Sequence, residues 1–167
     1  MRAKLRLELR TTNGQMVAER EGYNSVMRSG AELLARLFSG QGVAISHMGV
    51  GISDAPETDA FATTTLSNDT PGLQPLSGGT EVAIPPEAFQ IDPPDETKRS
   101  VRVRVRATLP AIAAVGVVRE AGLLSRDGEV TVLYNRVTFP PVTKADDHEL
   151  TMFWEVSFPY GDLQWLG

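Results

Sequence analysis

VGVVREAGLLSRDGEVTVLYNRVTFPPVTKADDHELTMFWEVSF, residues 115–158, holds three apolar runs separated by two turn signals. The first run, Val115 to Leu124, ends at Ser125-Arg126-Asp127-Gly128. Asp-Gly between apolar runs predicts a tight hairpin, because both residues tolerate the positive φ that such turns need. In the second run, Glu129 to Phe139, Val130, Val132, Tyr134, Arg136 and Thr138 share one face. Thr131, Leu133, Asn135, Val137 and Phe139 share the other. Pro140-Pro141 removes two ladder donors, which predicts that pairing stops there. In the third run Leu150, Met152, Trp154, Val156 and Phe158 alternate with Glu149, Thr151, Phe153, Glu155 and Ser157. That period of two places five large apolar groups on one face of a strand. The economical expectation is a three-stranded antiparallel meander.

Within this stretch, REAGLLSRDGEVTVLYNRVTFPPVTK carries Glu120, Gly122 and Leu123, then Asp127-Gly128, Arg136-Val137, Pro140-Pro141 and Lys144. A strand such as ELTMFWEVSF follows. This arrangement resembles a recurring block in structural proteins of tailed-phage virions and of related contractile injection systems. It is a pattern of packing and turns without catalytic residues. A second segment, ISHMGVGISDAPETDAFATTTL at residues 45–66, is similar to the same family, in which a strand of this type runs into a Gly-rich turn and a Thr/Ala/Pro-rich loop.

The remainder is built outward from this block. The chain has 167 residues, a formal charge of −5 and no cysteine. That length suits a single β-rich domain spanning residues 1–167. The acidic balance argues against a nucleic-acid surface, and the missing thiols exclude disulfides and thiolate metal sites. No apolar run is long enough for a membrane span, and MRAKLRLELR lacks the apolar core of a signal peptide, so the expectation is a soluble chain made in the cytoplasm, with no membrane insertion. Ala3, Leu5, Leu7 and Leu9 alternate with Arg2, Lys4, Arg6, Glu8 and Arg10. With Asn13-Gly14 and the run Gln15 to Glu19, they predict an amino-terminal hairpin. The charged row reads as protection of a solvent-facing strand. Val26, Gly30, Leu33, Leu34, Leu37 and Phe38 recur at helical spacing. They predict one amphipathic helix from Asn24 or Ser25, either residue serving as cap, to Ser39, with Gly40 as the left-handed residue after it.

Val43 to Ile52 reads as a buried strand; its Gly49-Val50-Gly51 lacks the further glycine or Gly-Lys-Ser/Thr of a phosphate loop. Residues 53–96 form a long Pro/Gly-rich loop insertion with one short strand near Glu81 to Ile84. In Lys98 to Leu109, Val101, Val103, Val105 and Ala107 face the core. Arg102, Arg104 and Arg106 face solvent or an acidic partner strand, and no aromatic or further basic support for a nucleic-acid site stands nearby in sequence. The predicted core comprises Leu33, Leu34, Leu37, Val101, Val103, Val105, Leu150, Met152, Trp154 and Val156.

Chemistry is sparse. His47 reads as a satisfied strand residue and His148, in Asp146-Asp147-His148-Glu149, as part of a solvated turn. Asp54, Glu57 and Asp59 lack the glycine-centred spacing of a dedicated calcium loop. No nucleophile or zinc-protease motif occurs. The expectation is therefore no catalytic, cofactor or metal site, and no cofactor. The fold class expected is mainly β, an antiparallel β-sandwich or open barrel with one amphipathic helix packed on it. The function implied by the resemblance is that of a non-enzymatic structural component of a phage tail or related particle (fibre base, baseplate or neck). Its partners would be other virion or tail proteins and further copies of itself, in a trimer or ring, and its location the virion after synthesis in the host cytoplasm. Candidate interface residues are Phe61, Leu73 and Phe89 in the long loop, and Tyr160, Trp165 and Leu166 in or beside the 161–167 tail. The alternative is a stand-alone β-sandwich binding module, for example a carbohydrate-binding one, with Asp54, Asp59 and Trp165 in its loops.

Overall fold

The computed structural model describes residues 2–56 and 63–161, with Arg2 described by its backbone alone. Two antiparallel sheets stack face to face, and one helix packs behind the second. The front sheet runs β2 (Met16–Tyr23), β1 (Arg2–Thr11), β11 (His148–Pro159), β7 (Ser100–Leu109), β6 (Phe89–Ile91). The back sheet runs β3 (Ser25–Val26), β10 (Asn135–Lys144), β8 (Gly116–Asp127), β4 (Ile45–Gly51), β5 (Glu81–Ala83), with β9 (Val130–Leu133) also paired to β8. The helix, α1 (Arg28–Phe38), lies along β9. The sheets do not close, so the architecture is a sandwich and not a barrel.

Period-two patterning explains the front sheet. Register sets Leu5 against Trp154, Leu7 against Met152 and Leu9 against Leu150. On the other side of β11, Val105 meets Trp154 and Ala107 meets Met152. All of these are buried, and they face Met48, Val50, Ala121, Val137 and Val142 of the back sheet. The predicted core holds for Leu33, Val105, Leu150, Met152, Trp154 and Val156, while Leu34 and Leu37 are partly buried against it. Val101 and Val103 are only half-buried, although both pair with β11, opposite Phe158 and Val156.

Four expectations change. The meander does not form: β8, β9 and β10 stay in the back sheet, whereas β11 crosses to the front one and pairs with β1 and β7. Its apolar face is matched by the leucine row of β1, which a third strand beside β10 would have left uncovered. Pro140-Pro141 does not end pairing. The β10–β8 register shifts between Thr138↔Glu120 and Val142↔Val118, so the extra residues bulge outward and the ladder resumes. Arg20 donates from Nε and Nη2 to the Pro140 and Pro141 carbonyls, at 3.1 and 3.2 Å. The helix begins later than its cap signals, at Arg28, because Asn24 is already spent: its Oδ1 accepts from the Ala3 amide at 2.8 Å and its own amide donates to the Ala3 carbonyl. Phe38 is 97% exposed and not on the leucine face. At about 100° per residue it stands roughly 140° around the helix from Leu33.

In residues 53–96 the short strand expected near Glu81 to Ile84 is present as β5, β6 is a second one, and the described part packs on the domain itself. Leu76 and Ile84 are buried, and Leu73 and Phe89 pack on the core. Asn68 brackets Leu76, accepting from its amide at 2.7 Å and donating to its carbonyl at 3.1 Å. Gly40, at φ 73°, closes the helix as expected: its amide and that of Gln41 donate to the Leu37 and Arg36 carbonyls.

Trp154 is the largest side chain among the fully buried ones, and its indole N–H has no hydrogen-bond partner among the described residues. Its contribution is therefore packing. Trp154→Ala is expected to cost about 3–5 kcal/mol in urea unfolding, and Trp154→Phe clearly less; equal losses would show that the indole N–H matters.

Candidate functional site

The back sheet carries a charged clamp on its outer face. Glu120 on β8 and Arg136 on β10 are 1% and 2% exposed, and Arg136 Nε donates to Glu120 Oε2 at 2.5 Å. Neither group is left with idle polar atoms. Arg136 Nη1 donates to the Ala55 carbonyl at 3.1 Å, and Nη2 reaches the Ser53 carbonyl and hydroxyl at 3.4 Å. Glu120 Oε1 accepts the Ser67 amide at 2.7 Å. Both ends of the segment that leaves β4 are thus tied to one ion pair. Desolvating two charges is costly, and only such complete pairing makes it tolerable.

A floor of glycines lets the loop approach. Gly49 stands opposite Gly122 and Gly51 opposite Glu120. A Cβ on Gly49 would lie 3.0 Å from the Leu66 side chain, and one on Gly51 would collide with Glu120 Oε1. Leu66 instead settles over this floor beside Met27, Leu124 and Leu133, a second small core between the back sheet and its cover. The Gly49-Val50-Gly51 run therefore serves close packing.

Lys144 on β10 is a second buried cation. Its Nζ donates to the Pro110 and Ala111 carbonyls at 2.9 and 2.8 Å, holding the turn between β7 and β8. Burial lowers its pKa, opposed by Glu149 and Asp146.

The outer face of the front sheet is different: no element of the described chain covers it. Register lines up Arg6, Phe153 and Arg106 across β1, β11 and β7. The Arg6 guanidinium lies 4.4 Å from the Phe153 ring centroid, within cation–π range, and is held by Glu8 at 2.6 Å. Lys4 pairs with Glu21, and Arg102 and Arg104 both bind Asp92, whose pKa is held down first by Arg104 and then by Arg102. The three β7 arginines were expected to face solvent or an acidic partner strand; Arg102 and Arg104 meet Asp92, just after β6, and Arg102 also reaches Glu155 of β11. Arg106 is exposed and has no ionic partner among the described residues. An open trough of about 1190 Å³ runs over this face, walled by Pro85, Glu87, Ala88 and Gln90.

Of the sequence candidates, Leu73 and Phe89 pack on the domain's own core. Tyr160 is 40% exposed, with its hydroxyl 3.5 Å from the Asp95 carbonyl. Phe61, Trp165 and Leu166 lie outside the described residues, as do Glu57 and Asp59. His47 Nδ1 shares a hydrogen bond with Ser46, and His148 Nδ1 accepts the Ala145 amide. Among the described candidates, the structure brings none together at one site. The aligned Arg6, Phe153 and Arg106 were missed, although alternation in residues 149–158 already put Phe153 on the polar face. The partners on either side came from register alone.

Two measurements test the clamp and Lys144. Glu120→Gln and Arg136→Met should each cost about 3–5 kcal/mol in urea unfolding, because each strands a buried charge. The double variant should regain part of that loss yet leave residues 53–67 open to protease, since the carbonyls of Ser53 and Ala55 lose their donor. For Lys144 the folded pKa is depressed, so the unfolded chain binds more protons in the alkaline window between that pKa and the ordinary value of about 10.4. Wild type should therefore gain stability relative to Lys144→Met as pH rises through that window; a pH-independent difference would contradict the buried charge. No family model, no curated protein and no solved structure matches this chain.

Proposed function

We propose that this chain is a non-enzymatic structural component of a phage tail or related particle, at a fibre base, baseplate or neck, and that it acts through protein–protein contacts. The observation that carries the reading is the work done by the residues of the resembling pattern. Glu120 and Arg136 clamp the loop, Gly122 lets the Asn135 carbonyl and the Leu133 side chain come close, and Asp127 leads into the Gly128-Glu129 turn of the β8–β9 hairpin. Pro140-Pro141 form the bulge that Arg20 seizes, and Lys144 fixes the neighbouring turn. These are the tasks of a rigid building block. The two segments similar to the virion family also lie side by side, as β4 against β8. An assembly part needs a stiff layer on one side and an open face on the other, and the front sheet offers such a face.

The partners on this reading are other tail proteins and further copies of the chain, as a trimer or ring. The test is solution mass together with particle composition. The purified chain is expected to sediment as a trimer or ring, or to be present at fixed stoichiometry in density-banded particles. A chain that stays monomeric at every concentration and is absent from the particles would end this reading.

A further inference from the structure

We propose that the outer face of the front sheet is a docking site for an acidic segment of a partner protein, centred on Arg6, Phe153 and Arg106; this rests on the reading of the chain as a protein-contact module. Charge complementarity at Arg106 selects that occupant. On the floor of the trough Glu8 is engaged by Arg6 and Arg10, Glu21 by Lys4, and Glu155 by Arg102. Among the described residues lining the trough, Arg106 is the cation left over and Glu87, on the wall, the carboxylate left over. It stands directly opposite Phe153, on the flank away from Arg6. One row further along the strands, Thr108 and Thr151 share a hydroxyl hydrogen bond of 2.8 Å. Arg106 therefore presents an unengaged guanidinium, a planar fork suited to a carboxylate, beside an apolar ring. An incoming segment with a carboxylate next to an apolar side chain satisfies both at once.

Other occupants fit less well. A sugar stacks on an open aromatic face, and Arg6 already covers that of Phe153. A nucleic-acid strand presents phosphates at every step, and Glu8, Glu21 and Glu155 on the same floor would repel them. A protein segment with a single carboxylate beside an apolar side chain reaches Arg106 and keeps clear of those three and of Glu87 on the wall.

The probe is a fluorescein-labelled serine-rich peptide carrying one Glu-Leu pair, read by anisotropy at low and raised salt, with its Gln-Leu counterpart and a short oligothymidylate as competitors. Saturable, salt-sensitive binding of the acidic peptide is expected. Arg106→Gln should weaken it about fivefold or more and Arg106→Glu further, while Arg28→Gln, on the helix, leaves it unchanged. Equal binding of the glutamine peptide, or indifference to Arg106, overturns the proposal. Tighter binding of oligothymidylate that Arg106→Gln abolishes gives the face to nucleic acid and overturns it too. Self-association abolished by Arg106→Glu makes the occupant a second copy, again against the proposal. Normal incorporation of the Arg106→Glu chain into particles removes this face from assembly but keeps the virion reading. Peptide binding by a chain absent from particles does the reverse.

Discussion

The ion pair between Glu120 and Arg136 is the constraint on which the rest of the back layer depends. It sits on two neighbouring strands of one sheet, so forming it requires β8 and β10 to be in register. Its remaining hydrogen-bonding capacity goes to the backbone at Ser53, Ala55 and Ser67. The segment that leaves β4 is thereby fixed to the sheet at both of its ends. The pair adds little net stability over an apolar equivalent, yet removing either partner strands the other. It acts as a specifier: one loop path satisfies all of its atoms.

That arrangement explains why the two sheets differ. The back sheet is covered on both faces, by the front sheet and by α1 with Leu66. Its strands accordingly read as near-continuous apolar runs with glycines where the cover presses close. The front sheet is covered on one face, and its strands alternate cleanly. The polar face of that sheet is laced by solvent-screened ion pairs, which organise the surface more than they stabilise it. Arg106, left out of the lacing, stands where a partner's charge would be needed.

Much of the fold was readable because its signals are local. Ala3 to Leu9 and Leu150 to Val156 announce strands and their inward faces through period two alone. Asn13-Gly14 and Asp127-Gly128 announce two hairpins through backbone chemistry. The helix was legible in extent but not at its start, because Asn24, a good cap by composition, is claimed by the Ala3 backbone. Pro140-Pro141 was read as a stop because donor loss is local, whereas the register shift that absorbs it belongs to β8.

Residue patterning by itself thus determined the fold class, the β1–β2 hairpin, the inward faces of β1, β7 and β11, and the presence of one helix. Each of these depends on neighbours within a few residues along the chain. Only the tertiary structure decided that β11 leaves the β8–β10 ribbon for the front sheet, that Glu120 and Arg136 share one bond, and that Phe153 lies between Arg6 and Arg106. These outcomes depend on register between strands far apart in sequence. Register is set by the mutual fit of whole apolar faces, and a single strand's pattern holds no record of its partner.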